Sequence, residues 1–147
     1  MNYANRCGSI NNTMSFNFKE TRNDQGKVID TITVTSNYYL SLPMFFLKKN
    51  KLNKNSKPVL RLFFDEDAKA IGILFTSVVE SGTYKINYSD KYGATCKIKS
   101  FLMNNNISLA DYAGKYNYEI INTNVDGENV EMFVLELKNR KEIKKNE

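Results

Sequence analysis

Apolar and polar residues alternate along much of this chain, the spacing of strands with one buried face. Met14, Phe16 and Phe18 alternate with polar neighbours. Arg22-Asn23-Asp24-Gln25-Gly26-Lys27 follows, and then VIDTITVTSNYYL, in which Ile32 and Val34 sit between threonines. The two runs predict a β-hairpin turning at Gly26, the residue free to take positive φ. Residues 59–64 (VLRLFF) and 70–75 (AIGILF) predict a second hairpin around Asp65-Glu66-Asp67-Ala68-Lys69. Tyr84, Ile86 and Tyr88 alternate before the turn Asp90-Lys91-Tyr92-Gly93, and residues 94–98 make the next strand. Residues 116–121 and 129–137 then pair across NTNVDG, where Asp126-Gly127 is a strong turn signal.

Two stretches break the alternation. Residues 41–52 read SLPMFFLKKNKL, with Ser41 near a cap position and Pro43 in a first turn, which predicts a short helix. Fifty-five positions later, residues 96–107 read CKIKSFLMNNNI. Phe46 falls on Phe101, Leu47 on Leu102, Asn50 on Asn105 and Leu52 on Ile107, so a second short helix is expected over 99–106. The element order is hairpin, short helix, hairpin, and then the same again. The expected fold is β-rich α+β, with two β-hairpin/short-helix/β-hairpin halves packed as a small barrel or sandwich. Residues 1–12 read as a flexible arm, 13–138 as one globular domain of pseudo-repeats 13–76 and 82–138, and 139–147 as a charged tail.

Composition narrows the chemistry. At 147 residues, 41% hydrophobic and 12% aromatic, the chain can bury a core without disulfide staples and is not a disordered segment. Cys7 and Cys96 are its only cysteines, and with no histidine they cannot complete an ordinary zinc site. The lack of histidine also excludes Ser-His-Asp and Cys-His catalysis and the usual general base. No Walker A loop, GxGxxG or HExxH occurs, so neither an enzyme, a cofactor nor a metal is expected. Asp65, Glu66 and Asp67 lack EF-hand spacing and read as a solvated turn, as do Asp126 and Glu128. The opening MNYANRCGSINN has no apolar core, and no run approaches the roughly 20 apolar residues of a membrane span. A cytoplasmic protein with no membrane partner is the expectation.

Charge changes the picture more. Net charge is +5 and the pI about 9.1, which favours an anionic partner. Between Asp30 and Asp65 there is no acid, while Lys48, Lys49, Lys51, Lys54, Lys57 and Arg61 are all present. Such a run can neutralise several phosphates, and Asn50, Asn53 and Asn55 can add polar contacts. Lysines at a helix C-terminus also meet its negative dipole end, which accounts for part of the run without any ligand. Lys19, Arg22 and Lys27 flank the first turn, where a basic β-ribbon can enter a groove or simply blunt an edge. Lys85, Lys91, Lys97 and Lys99 accompany Tyr84, Tyr88 and Tyr92, a mixture suited to single-stranded nucleic acid or to a half-buried sheet. Glu119, Asp126, Glu128, Glu131 and Glu136 give the C-terminal half the opposite sign.

Asp24-Gln25-Gly26-Lys27-Val28-Ile29, Leu42-Pro43, and Leu62-Phe63-Phe64-Asp65-Glu66-Asp67 through Ile71-Gly72-Ile73 together resemble the AbrB/MazE/SpoVT-like swapped-hairpin family. The resemblance covers residues 14–75, with the second half following by analogy. Pro43 lies 17 positions beyond Gly26, a wider spacing than that family's. The resemblance implies a small barrel of intertwined halves, formed within one chain or by a homodimer. It also implies DNA binding by basic residues of the first hairpin, or an antitoxin that engages a protein partner. The expected function is therefore a non-catalytic nucleic-acid-binding or regulatory protein, DNA favoured, acting through Arg22, Lys27, Lys48, Lys49, Lys51, Lys54 and Lys57. The alternative is a protein-binding inhibitor or antitoxin-like module without nucleic-acid contact, for example a phage-encoded inhibitor of a host defence nuclease.

Overall fold

The alternating residues Ile32 and Val34, then Leu40 and Leu42, are all buried, while Thr33 and Ser41 between them face outward. They form two short strands, β1 (Ile32–Val34) and β2 (Tyr39–Leu42). These belong to a computed structural model that describes residues 16–20 and 29–140. The run 28–40 is thus not one strand, and its partner is not the segment around Phe16 and Phe18, which has no strand over 16–20 and leaves both rings exposed. The hairpin turns instead at Thr35–Tyr38. Thr35 Oγ1 accepts the N–H groups of Asn37 and Tyr39 at 3.3 and 3.1 Å, and Tyr38 takes the left-handed φ of 72°. Gly26, expected at that turn, lies outside the described residues.

After β2 come α1 (Met44–Lys49), β3 (Val59–Asp65) and β4 (Ala70–Thr76). Then follow β5 (Tyr84–Ser89), β6 (Gly93–Lys97), α2 (Lys99–Asn104) and a single turn, α3 (Leu109–Tyr112), which the sequence does not signal. The chain ends with β7 (Gly114–Tyr116), β8 (Glu119–Val125) and β9 (Glu128–Glu136). Ser41 belongs to β2 and does not cap α1, whose preceding residue is Pro43. The β8–β9 hairpin turns more tightly than the sequence suggests. Val125 pairs with Glu128, and Asp126 and Gly127 take φ of 53° and 87°, a two-residue type I′ geometry.

The fold is β-rich. Among the described residues nine antiparallel strands form one sheet, curled into a half-barrel, in the order β7-β1-β2-β6-β5-β3-β4-β9-β8. Neighbours in space are often distant in sequence: Ile32 pairs with Tyr116, Leu40 with Cys96, and Leu60 with Tyr84. Gly93 is required where β5 turns into β6. Its φ is +109°, and a Cβ there would collide with the carbonyl oxygen of Leu42.

Inside the curl, α1 buries Phe46 and Leu47, and α2 buries Phe101 and Leu102. Phe46 meets Phe133 at 5.4 Å and Tyr118 at 4.9 Å between ring centroids, and Phe75 meets Phe133 at 5.3 Å. These edge-to-face pairs each add to plain area burial. Phe101 packs edge-on against Phe64 at 6.3 Å. Both helices close with a Schellman motif. Leu52 N–H bonds Leu47 O and Lys51 N–H bonds Lys48 O; Ile107 N–H bonds Leu102 O and Asn106 N–H bonds Met103 O. Lys51 and Asn106 both have φ 57°.

Candidate functional site

Lys48 and Lys49 lie in the last turn of α1, Lys51 just past its end, and Lys54 and Lys57 in the loop that leads to β3. That loop is held by its own backbone. Asn53 Oδ1 accepts the N–H groups of Asn55 and Ser56 at 3.0 and 2.9 Å, and Lys57 N–H bonds Asn53 O at 2.8 Å. Tyr88 on β5 adds an anchor from outside, its hydroxyl donating to Lys57 O at 2.7 Å. Burial, and secondarily the neighbouring Cys96, push the Tyr88 phenol up to about 12, so it stays a donor at neutral pH. Lys54 and Lys57 are thus carried on an ordered loop, and Lys48, Lys49 and Lys51 on the closed end of α1.

They are not equivalent. Lys49 Nζ pairs with Asp30 Oδ2 at 2.7 Å, and Tyr118 hydroxyl donates to the other oxygen, Asp30 Oδ1, at 2.6 Å. Desolvation alone raises the Asp30 carboxyl, but hydrogen bonds from Lys49 and Tyr118 outweigh it and hold the group below its ordinary value. The hydrogen bond to Asp30 likewise holds the Lys49 ammonium above its usual range. Arg61 is engaged too, with Asp126 at 3.3 Å and over the Phe63 ring. Among the described residues no carboxylate pairs with Lys48, Lys51, Lys54 or Lys57. The first three are exposed and Lys57 half-buried.

The asparagines of the run have structural duties. Asn50 donates its amide to Phe46 O at 2.9 Å, and Asn53 shapes the loop. Asn55 is exposed. Arg22 and Lys27 lie outside the described residues, and Lys19 is exposed. Asp65 turns the β3–β4 hairpin, its carboxylate accepting Ala68 N–H at 3.1 Å. Cys96 is fully buried, and burial pushes its thiol up to about 12.

Two hollows adjoin the basic loop. One, of about 710 Å³, lies between the loop and the edge of β5, with Lys54, Asn55, Lys85, Asn87 and Tyr88 among its walls. The other, of about 600 Å³, has an apolar floor including Leu52, Phe75 and Phe133, with Lys57 and Arg61 facing Glu80, Glu128 and Glu131 around it. Asp30 and Tyr118 went unnoticed in the sequence. Asp30 does mark the start of the acid-free stretch, and that was the one signal available. Among the described residues no helix is long and apolar enough to cross a membrane. No protein-family model, curated protein or solved structure matches this chain.

Proposed function

We propose that this chain is a non-catalytic nucleic-acid-binding protein, DNA favoured, that neutralises phosphates through Lys48, Lys51, Lys54 and Lys57. The observation that carries the reading is the ordered end of α1 and the loop after it, which together bear these four ammonium groups with no described carboxylate paired to any of them. A like-charged cluster held on a fixed backbone repels itself, and a polyanion relieves that repulsion while releasing its own counterions. Lys49 contributes less because Asp30 already holds it. Arg22 and Lys27, outside the described residues, belong to the same reading.

The architecture behind it, in our reading, is two interleaved β-β-α-β-β halves: β1, β2, α1, β3, β4 and then β5, β6, α2, β7–β8, β9. Support comes from the matching Schellman motifs, and from the sheet order, in which β2 lies beside β6 and β4 beside β9. Each helix also packs an aromatic ring on a strand of the other half, Phe46 on Phe133 and Phe101 on Phe64.

Fluorescence anisotropy of labelled duplex DNA, single-stranded DNA and RNA against rising salt tests the function. Binding should weaken with log salt at about 0.9 per duplex phosphate neutralised. Lys48→Glu/Lys51→Glu/Lys54→Glu/Lys57→Glu should lose it with the fold intact, and unchanged affinity in that variant refutes the assignment.

A second reading, a protein-binding inhibitor or antitoxin-like module, draws on β8. That strand ends the sheet order, and its consecutive residues Ile120 and Ile121 are 45% and 42% exposed although they point to opposite faces. A seven-residue strand that ends a sheet and exposes two isoleucines suits strand addition by a protein partner. A stoichiometric partner that is captured after nuclease treatment and lost on Ile121→Lys would favour it.

A further inference from the structure

We propose that the nucleic acid is engaged as a single strand, along a track that leaves the basic loop at Lys54, follows the groove beside β5, and ends at Lys97 and Lys99. This rests on the nucleic-acid reading above and extends it to residues that the loop does not include.

The groove exists because β3 stops pairing with β5 early. Val59 opposite Lys85 ends that ladder, Ile86 N–H reaches back to Pro58 O at 3.0 Å, and beyond this the loop and β5 part company. Lys54 and Asn55 stand on one side, Lys85 and Asn87 on the other. Of the described residues lining the groove only Glu80 is acidic. A second hollow, of about 440 Å³, lies next along the surface, walled by Tyr84, Lys97, Lys99, Ser100 and Met103 and free of acids. The sequence neighbours Tyr84 and Lys85 connect the two hollows.

The register of β5 and β6 gives the physical argument. Ile86 pairs with Cys96, so the ladder carried one step further sets Lys85 against Lys97, both exposed. Like charges directly opposite one another across a sheet are destabilising. A fold that keeps two lysines so placed gains from an anion lying between them. Around them the outward face is polar. Cross-strand partners Lys115, Thr33, Ser41, Thr95 and Asn87 make one continuous row over five strands, with donors and no carboxylate.

The hollows also hold rings. Tyr88 is fixed beside the groove by its bond to Lys57 O, and Tyr84 lines the second hollow with its hydroxyl 3.4 Å from Ser100 Oγ. Half-buried rings that are already fixed lose little freedom when a base stacks on them. A groove of about 710 Å³ accepts individual nucleotides. Bases in a duplex are paired and stacked away from such a site, whereas those of a single strand can splay into it.

The test uses the full chain, a labelled oligothymidylate of about 12 nucleotides and a duplex of equal length. Lys85→Gln/Lys97→Gln/Lys99→Gln should weaken single-strand binding at least about tenfold and reduce the salt slope by about two, at roughly 0.7 per contact. Lys97→Glu should lower affinity while raising the melting temperature, because it turns a repulsive cross-strand pair into an attractive one. A gain in stability together with a loss of binding is not what a damaged fold gives. If the triple variant binds as the wild type does while the loop variant fails, the track is refuted and the loop assignment stands. If the wild type prefers the duplex, the single-strand assignment is refuted. If it binds neither probe at low salt, both readings fall.

Discussion

Asn50 and Asn105, fifty-five positions apart, make the same hydrogen bond: each side-chain amide donates to the carbonyl four residues back, Phe46 or Phe101, at 2.9 Å. Both sit at the end of a six-residue helix, and each carbonyl also accepts the same asparagine's backbone N–H at 3.1 Å, so main chain and side chain clamp one acceptor. Asn50→Ala and Asn105→Ala should each cost about 1 kcal/mol in urea unfolding, with unchanged m-values. The next residues, Lys51 and Asn106, share the left-handed φ of 57°. Lys51→Gly should therefore stabilise by about 1 kcal/mol, and Asn106→Gly by less because asparagine tolerates that conformation.

Two glycines at turns should separate cleanly under the same measurement. Gly93→Ala places a methyl against the Leu42 carbonyl at φ +109°, so a loss above about 2 kcal/mol is expected. Gly127 has φ +87° but nothing near its missing Cβ, so Gly127→Ala should cost only about 1 kcal/mol. Equal losses would mean that backbone conformation alone sets the cost and that the close approach of the Leu42 carbonyl contributes nothing.

The Asp30–Lys49–Tyr118 group links stability to pH and to binding. Asp30 titrates below the ordinary aspartate value. Its contribution is therefore whole above that value and is lost as pH falls through the depressed one. Wild type and Asp30→Asn should differ in melting temperature at pH 7 and converge as pH falls through the depressed Asp30 value. The same substitution releases Lys49. On the proposed function, nucleic-acid affinity should rise, with about one further phosphate contact in the salt slope. Lowered affinity would show that Asp30 supports the interface by positioning Lys49.

Cys96 offers a probe that needs no ligand. Its thiol is fully buried and pushed up to about 12, so the reactive thiolate is scarce and covered. In a Cys7→Ser background, a disulfide reagent at pH 8 should label the protein only at the rate of opening. Immediate labelling would contradict the packing of β2 on β6.

How much of this could be read from residue order depends on what each feature needs. Asp126-Gly127 announces its turn because the two-residue geometry demands φ values that few residues accept. The paired phenylalanines announce their helices because burial repeats where structure repeats. The β1–β2 turn was hidden: its positive φ falls on Tyr38, inside a run whose β-branched composition argues for uninterrupted strand. Gly26 looked the better candidate on local chemistry alone. Pairings such as Ile32 with Tyr116 depend on packing between distant segments, and no local pattern encodes them. The candidate site divides in the same way. The acid-free lysine run is visible in the sequence. The capture of Lys49 by an aspartate nineteen residues upstream, and the position of Lys85 and Lys97 one step beyond the Ile86–Cys96 pair, exist only once a register is fixed.

The two helices share their closing geometry but not their charge. Where α1 carries Lys48 and Lys49, α2 carries Met103 and Asn104; where Lys51 and Lys54 follow the first helix, Asn106 and Leu109, the latter already in α3, follow the second. A pair of identical subunits would have to display every such change twice, once on each side of its axis. Placing both helices on one continuous chain removes that obligation. One flank can specialise while its counterpart keeps only the contacts that packing requires, giving the molecule a front and a back.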